Sequence, residues 1–302
     1  MNIIKRRSES VELKCFRILN TRYQLPEKDK LNYLFAEKGF EGELKLDKML
    51  ENLSSNCLVL QDLLLEQNNT VFQIDTLVIA QGTIFLFEVK NYDGVYYISN
   101  GGWFSENGKE IKNPIHQISR SETLLRQMIA PQNLNLNIQS QLIFVNPQFT
   151  LYEASKDLPV ILPSQLNRFL DNLNKLSVNL THKHNKLAHF LKTSHTSDLP
   201  YTRLPNYHYD QLQKGVVCQK CSSFMSILNR RNLICNDCGY EEHIEESVIR
   251  SIQEFNLLFP EKKVTVSAMM EWCKVIESKK TIRRILQKNY KLVCIGRFSN
   301  YV

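Results

Sequence analysis

A 19-residue stretch, FQIDTLVIAQGTIFLFEVK, constrains the fold of this chain more than any other segment. Phe72–Ala80 and Thr83–Lys90 are rich in β-branched and aromatic residues, which favour strands. Gly82 between them is typical of a tight turn, because glycine adopts the positive φ that short hairpin loops need. The stretch therefore predicts a β-hairpin in which Ala80 pairs with Thr83.

Polar residues interrupt these apolar strands at matching positions. Counting outward from the turn places Asp75 opposite Glu88, and the alternation of side chains puts Gln73 and Lys90 on the same face. Two facing carboxylates repel each other at a cost on the order of 0.2–1 kcal/mol, and a divalent cation removes that repulsion. The pattern predicts a Mg²⁺ or Mn²⁺ site with Lys90 beside it. The alternative is a salt-bridge cluster on an exposed face of the hairpin.

An ordered set of motifs in this chain resembles the nuclease-related domain (NERD), a branch of the PD-(D/E)XK nuclease superfamily. The motifs are Gly42-Glu43, Gln73-Ile74-Asp75, Glu88-Val89-Lys90, Asn113-Pro114 and Gln117. The resemblance covers roughly Lys38 to Met128. It implies an α/β fold of the restriction-endonuclease type, with a mixed central sheet flanked by helices.

The resemblance also implies metal-dependent hydrolysis of DNA phosphodiester bonds, by an endonuclease, with RNA as the alternative substrate. Asp75, Glu88 and the Val89 carbonyl would bind the cation, and a metal-activated water would be the nucleophile. Lys90 would orient or deprotonate that water and stabilise charge on the phosphate. Two further residues would complete the site: Glu43 and Gln117.

Both of these outer residues also have a simpler interpretation. Glu43 lies in the first turn of a predicted helix, Glu41–Leu53, where an acid is favoured by the helix dipole. Gln117 follows the predicted helix start at Pro114, where a polar surface residue is ordinary.

Four of the eight cysteines form two close pairs, Cys218-x₂-Cys221 and Cys235-x₂-Cys238. Thirteen residues separate the pairs, enough for a short hairpin that brings four thiolates to one structural Zn²⁺. Two redox-active pairs are the alternative. The remaining cysteines lie in apolar sequence and are predicted to be buried: Cys15, Cys57, Cys273 and Cys294.

Positive charge is concentrated at the C-terminal end. Lys262–Val302 contains ten Lys or Arg against two acids, a net charge of +8 in a chain whose total is +7. This distribution indicates an anionic partner, most simply nucleic acid. Helix patterns over Ser267–Ile276 and Ser278–Lys288 favour a helix-turn-helix, followed by a wing hairpin that turns at Gly296. The predicted nucleic-acid contacts are Lys279, Lys280, Arg283, Arg284 and Lys288. A small bundle with a solvated basic face is the alternative.

The remaining patterns suggest the organisation of the chain. Two helices are predicted within Val11–Leu34, strands at Cys57–Leu65, Gly94–Ser99, Gln141–Val145 and Pro159–Leu162, and helices at Ser164–Leu173 and Glu246–Leu258. The predicted domains are a helical extension (1–36), a nuclease-like domain (37–191), a linker (192–214), a zinc ribbon (215–243) and a basic helix-turn-helix or winged-helix domain (244–302).

The sequence contains no apolar run long enough for a transmembrane helix and no signal-peptide pattern, so we expect a cytoplasmic protein without a membrane partner. A homo-oligomer is compatible with this sequence. Two other functions compete with a nuclease: a non-catalytic DNA-binding protein that uses the same core as a scaffold or sensor, and a zinc-dependent protein-interaction module. The basic C-terminal segment argues against the second.

Overall fold

The computed structural model describes residues 1–80, 82–132, 136–176, 179–196, 204–293 and 299–302. The chain divides into two units. The first comprises Met1–Glu9 and Phe35–Tyr201, and the second comprises Ser10–Leu34 and Thr202–Val302.

The elements as far as α4 are β1 (Asn2–Lys5), α1 (Val11–Arg22), α2 (Glu27–Leu50), β2 (Leu58–Gln67), β3 (Thr70–Ile79), β4 (Thr83–Lys90), β5 (Gly94–Ser99), β6 (Gly102–Ser105), β7 (Glu110–Ile111), α3 (Pro114–Ile129), β8 (Asn137–Phe144), β9 (Phe149–Tyr152), β10 (Val160–Ile161) and α4 (Leu166–Asn174). They are followed by α5 (His182–Thr193), β11 (Ser226–Ile227), β12 (Asn232–Ile234), β13 (Glu241–His243), α6 (Ile244–Leu258), α7 (Val266–Cys273) and α8 (Lys279–Asn289).

The first unit is built on a mixed sheet with the strand order β1-β2-β3-β4-β8-β10. The β2-β3-β4 meander is antiparallel, whereas β1, β8 and β10 join their neighbours in parallel. Parallel neighbours need crossover connections, and α3 provides the one between β4 and β8. A second sheet, β7-β6-β5-β9, packs Trp103 against Phe144 of β8.

Helices cover both faces of the central sheet. On one face α3 and α5 pack on strand residues such as Leu60 and Leu86, and on the other α2 and α4 pack on residues such as Val78 and Phe87. Strands buried on both faces carry nearly continuous apolar sequence, as β4 does. The predicted α/β class, with a mixed central sheet flanked by helices, is confirmed.

The helix pattern near the N-terminus differs from the prediction. The sequence predicts separate helices before Leu34 and after Glu41, but α2 is one 24-residue helix. The intervening residues contain no proline, and the helix continues through Gly39. Glu43 therefore lies in the middle of a helix, and its interpretation as a first-turn acid is wrong.

Three elements of the first unit differ from the prediction or were absent from it. Asn2–Lys5 is predicted as part of a helical extension but forms β1, the parallel neighbour of β2. The strand β9 and the helix α5 were not predicted at all. Residues 1–36, predicted as one extension, are divided between the two units.

In the second unit a single apolar core holds the cysteine segment and the C-terminal helices together. It combines Leu19 of α1 with Cys235, Phe255 of α6, Trp272 of α7 and Ile285 of α8. The segments predicted as a separate zinc ribbon and a separate helical domain thus share one core. Cys15, Cys57 and Cys273 are buried as predicted, and Cys294 lies outside the described residues.

The predicted helices of this unit are present. Ser278 caps α8, its side chain accepting a hydrogen bond from the N–H of Thr281. The cap of α7 is Thr265, and Ser267, the start of the helix in the sequence pattern, lies within the helix. Bridges join Tyr301 to Val264 and Leu292, while Gly296, the predicted turn of the wing, lies outside the described residues. Among the described residues, no helix is long and apolar enough to cross a membrane.

Candidate active site and metal centre

The β3-β4 hairpin has the predicted register. The N–H of Ala80 donates to the carbonyl of Thr83 at 2.9 Å, and paired residues run from Ile79↔Ile84 to Thr76↔Phe87. The ladder ends there, so Asp75 and Glu88 are not a ladder pair, which corrects the prediction. Instead, the Asp75 Oδ2 atom accepts the N–H of Val89 at 2.8 Å. A carboxylate thus replaces a backbone carbonyl at the point where the two strands part.

An irregularity in the sheet accompanies this separation. Ile74 and Leu77 belong to the same apolar layer although residues three apart in a regular strand face opposite sides. Across the sheet, Leu60 and Leu63 of β2 show the same slip, and Asp62 between them has a φ of +54°. Strained backbone of this kind concentrates at functional sites. The slip places Asp75 where a uniform alternation would not.

Three of the predicted site residues form one hydrogen-bonded chain. The Lys90 ammonium donates to Glu88 Oε1 at 2.7 Å and to Gln117 Oε1 at 3.1 Å. The Glu88 side chain is 3% exposed and the Lys90 side chain 17%, so this ion pair lies in a poorly solvated position. Gln117 comes from the first turns of α3, whose start is fixed by the Asn113 cap. Gln73 lies apart from this chain, since its amide donates to Asp62 at 3.0 Å.

Glu43 reaches the site from α2. At the preceding residue, Gly42, a Cβ atom would lie 2.6 Å from the Cβ of Asn91, so only glycine permits α2 to approach the end of β4 this closely. The Glu43 carboxylate accepts a hydrogen bond from Arg7 at 2.6 Å, and Arg7 also donates to the Asp75 carbonyl at 2.7 Å. Glu43 is therefore joined to the Asp75 strand through one guanidinium.

Burial and mutual repulsion disfavour ionisation of the three acids. Burial, reinforced by the Asp75 charge, raises the pKa of Glu43 to about 8 and that of Glu88 to about 8. Burial also raises the pKa of Asp75, although the Val89 N–H and Lys90 oppose this. For Lys90, burial alone would lower the pKa, but the adjacent Glu88 carboxylate outweighs burial and raises it. Lys90 is therefore a cation at neutral pH.

The donor set fits a small divalent cation. Asp75 Oδ1 and Glu88 Oε2 make no hydrogen bond to any other described residue, whereas the second oxygen of each is bonded. Ionisation of both carboxyl groups would create a local excess of negative charge that a cation neutralises, and Mg²⁺ is commonly bound through one or two carboxylates plus water. Nothing in the fold tests the Val89 carbonyl as a ligand, and that assignment stays a prediction.

The four paired cysteines converge as predicted. Their sulfur atoms all lie within 4.8 Å of one another, with Cys218–Cys238 at 3.7 Å and Cys221–Cys235 at 3.3 Å. A tetrahedral ion with Zn–S bonds of about 2.3 Å places its sulfurs roughly 3.8 Å apart, so the set fits Zn²⁺. Among the described residues, it is the only group of three or more His, Cys, Asp and Glu side chains close enough to share one ion.

The backbone of both cysteine loops supports this centre. Each loop turns through a left-handed residue, Ser222 with φ +62° in one and Gly239 with φ +72° in the other. The N–H of Lys220 donates to the Cys218 sulfur at 3.4 Å. Such donors orient thiolate ligands.

All five predicted nucleic-acid contacts lie on the exposed face of α8. A cavity of about 790 Å³ between α8 and the β11-β12 turn is lined by Lys280, Arg284 and Arg230. Another, of about 550 Å³, is lined by Lys279, Arg283 and Lys263. Lys288 differs from the others, because its ammonium is paired with Glu245 at 2.7 Å.

Sequence reasoning missed several residues around the acids: Arg7, Asp47, Asp62 and Lys5. Asp47 had a detectable signal, since it follows Glu43 by four residues and so lies on the same face of a helix. Lys5 and Arg7 belong to a basic run at the N-terminus, but only the pairing of β1 with β2 brings that run to the site.

Three features define a nuclease-like domain. They are the mixed sheet, the β3-β4 hairpin whose strands separate at Asp75, and the hydrogen-bonded chain of Glu88, Lys90 and Gln117. Comparison with protein-family models agrees, because residues 38–145 match the family described as the nuclease-related domain. The match is to the family that the sequence motifs indicated, and it covers the segment that carries them. The chain has no significant match among curated proteins or among solved structures.

Proposed function

We propose that this protein is a metal-dependent nuclease of the PD-(D/E)XK type that hydrolyses phosphodiester bonds in DNA. The observation that supports this most directly is the hydrogen-bonded Glu88–Lys90–Gln117 chain beside Asp75, within the segment that matches the nuclease-related domain. A purely structural ion pair does not explain why Asp75 Oδ1 and Glu88 Oε2 accept no hydrogen bond from the described residues. Carboxylate oxygens of this kind are suited to bind a metal ion.

Asp75 and Glu88 would hold Mg²⁺ or Mn²⁺ through the oxygens that face no protein donor. When bound, the cation supplies Lewis-acid activation of the attacking water and neutralises charge on the phosphate. The Val89 N–H keeps the Asp75 carboxylate in place by occupying its other oxygen. Glu43 would complete the acidic side of the site from α2.

Lys90 would act as a cation rather than as a general base. Its ammonium is held by Glu88 and Gln117, and its pKa is raised by the Glu88 carboxylate. A protonated amine in this position can orient water and stabilise charge developing on the phosphate oxygens. Gln117 fixes the direction of that ammonium, which gives the exposed glutamine a role in the site.

The second unit would engage the substrate. A structural Zn²⁺ held by four thiolates has no open position for catalysis, so the cysteine centre would serve to shape the unit. The basic face of α8, with cavities lined by further cations, offers contacts to phosphate groups. Such contacts would position DNA without reading its sequence.

The test is cleavage of plasmid DNA, linear DNA and RNA by the full chain, with Mg²⁺, with Mn²⁺ and with EDTA. We expect metal-dependent cleavage that Lys90→Ala reduces by roughly 10²-fold or more, while Lys109→Ala, at an exposed lysine of the same unit, has no effect. Equal cleavage by folded Lys90→Ala would assign the activity to a contaminant. Binding without cleavage in any metal would favour a non-catalytic DNA-binding protein.

A further inference from the structure

Arg7 reaches the candidate site from outside the segment that matches the nuclease-related domain. It follows β1, which runs parallel to β2 with Ile3 paired to Val59. The N–H of Arg7 donates to Gln61 Oε1 at 3.1 Å, so both its backbone and the preceding strand are fixed to β2. The side chain then turns inward and is only 3% exposed.

The Arg7 guanidinium bonds two elements that carry proposed catalytic acids. On α2, Nη1 donates to Glu43 at 2.6 Å, and Nε and Nη2 donate to the two oxygens of Asp47 at 2.7 and 3.2 Å. On β3, Nη2 donates to the Asp75 carbonyl at 2.7 Å and to the Thr76 hydroxyl at 3.2 Å. The planar fork of arginine makes such a set of directed bonds, and a lysine ammonium cannot reproduce it.

The donors of this arginine are directed at both elements that carry proposed catalytic acids. The bidentate pair with Asp47 engages only two of the five N–H groups of a guanidinium, and further N–H groups are directed at Glu43 and at the backbone of Asp75. These two acids repel each other in a poorly solvated space. Arg7 is a cation in contact with Glu43, and its charge opposes the rise in the Glu43 pKa that burial and the Asp75 charge cause.

We propose that Arg7 is a positioning residue that holds the Glu43 carboxylate beside Asp75, so that an N-terminal segment completes the nuclease-like site. The inference rests on the proposed function for the role of Glu43. It also assigns a purpose to β1, because the strand brings Arg7 between α2 and β3. A fragment that begins at the domain boundary near Lys38 would lack this residue.

The test compares Arg7→Gln and Arg7→Lys with Arg6→Gln in the full-length chain. Arg6 is the matched control, since its side chain is 72% exposed and contacts only Glu51, at 3.3 Å, among the described residues. We expect Arg7→Gln to lower metal-dependent cleavage by roughly 10-fold to 100-fold, the cost of a small misplacement of a reacting group. Arg7→Lys should recover part of this loss, and Arg6→Gln should cleave like the wild type.

Two further readouts separate positioning from a general effect on folding. In a Glu43→Gln background, Arg7→Gln should cause little additional loss, because coupled residues are not additive. The second readout is a ¹³C titration of the Glu43 carboxyl, identified by its absence in Glu43→Gln. Its pKa should rise further in Arg7→Gln and stay near the wild-type value in Arg6→Gln. Should Arg7→Gln fail to fold, Arg7→Lys takes its place in both measurements.

The outcomes distinguish the two proposals. If the wild type cleaves DNA and Arg7→Gln cleaves it equally well, the role of Arg7 is overturned and the nuclease proposal stands. The role of Arg7 would also be overturned if Arg7→Gln reduced cleavage by the same factor in the wild-type and Glu43→Gln backgrounds. A wild type that cleaves nothing would refute the nuclease, and the Glu43 titration would then still decide whether Arg7 holds that carboxylate.

Discussion

At the scale of single residues, the candidate site contains acids whose ionised form is destabilised by the fold. In an unfolded chain a glutamate titrates near pH 4.3, whereas Glu43 and Glu88 have pKa values of about 8 in the fold. Between these values the folded state binds more protons than the unfolded state. The free energy of unfolding therefore falls as pH rises from about 4.5 to 8. A bound cation removes that penalty, which links the pH dependence to function.

Asp75→Asn tests this electrostatic argument. The amide keeps the shape and can still accept the Val89 N–H, but it removes one charge and the repulsion on its neighbours. Without metal, the variant should be more stable than the wild type by about 1 kcal/mol at pH 8, with a smaller difference at pH 5. Denaturant unfolding at both pH values measures this.

The control is Asp93→Asn, because Asp93 is exposed and pairs with Lys38, which lowers its pKa. Between pH 5 and pH 8, this variant should lose as much free energy of unfolding as the wild type does. Added Mn²⁺ should raise the melting temperature of the wild type more at pH 8 than at pH 6, since the ligands must be deprotonated. If Asp75→Asn gained as much from Mn²⁺ as the wild type, Asp75 would not be a ligand.

Counting from the turn predicted that Asp75, Glu88 and Lys90 lie close together, because a short hairpin fixes its own register, although the ladder ends before Asp75. It could not locate Arg7 or Asp62. Arg7 reaches the site through a parallel pairing between strands more than 50 residues apart in sequence, which no local pattern encodes. Asp62 depends on a backbone slip in the middle of an apolar strand, where the sequence shows only the polar pair Gln61-Asp62.

At the scale of elements, the bounds of helices and strands were harder to predict from the sequence than the type of each element. The patterns of β4 and β5 predicted the strands with their observed bounds, because turn residues mark both ends. By contrast, α2 was predicted as two separate helices, and in the structure its residues up to Leu34 belong to the second unit and those from Phe35 to the first. A periodic pattern indicates which face of a helix is buried, but it does not show that two such faces belong to one helix.

Helix α8 supports a prediction about nucleic-acid binding. Arg283→Glu with Arg284→Glu should weaken DNA binding and reduce the slope of log K against log salt by about 2, because two phosphate contacts and their released counterions are lost. Both side chains are exposed, so the fold should tolerate the change. Fluorescence anisotropy across a salt series measures both quantities.

The matched control is a double reversal on α5, Lys183→Glu with Lys186→Glu, which also lies on an exposed helix face. It should alter the slope less than the α8 variant. Lys288→Gln should have a weaker effect than either arginine, since Lys288 is already paired with Glu245. Equal slopes for the α5 and α8 variants would mean that α8 is not the DNA-binding surface.

At the scale of the whole molecule, the second unit is assembled from both ends of the chain. The core that contains Cys235 and Trp272 also contains Cys15 and Leu19 of α1. Arg22 of α1 donates to Glu254 of α6 at 2.7 Å and lies over the Trp272 ring at 4.2 Å. Deleting Lys262–Val302 would therefore remove part of a shared core, so surface substitutions are the better test of binding.

The cysteine centre should govern the stability of this whole unit. In Cys235→Ser, zinc content should fall well below one ion per chain, because a structural site of this kind uses all four thiolates. Since a structural metal contributes directly to folding, hydrogen exchange should quicken in α6 and α8. It should also quicken in α1, more than 200 residues away in sequence, because α1 packs in the same core.

The first unit supplies the internal control, because β3 and β4 share no core with the cysteines. Their amides should stay as protected as in the wild type, and metal-dependent cleavage of a short oligonucleotide should persist while its affinity drops. Asp237→Asn, at an exposed residue between Cys235 and Cys238 with no proposed ligand role, should keep its zinc and its exchange pattern. Unchanged exchange in α1 after zinc loss would show that the N-terminal helix is stabilised independently of the metal centre.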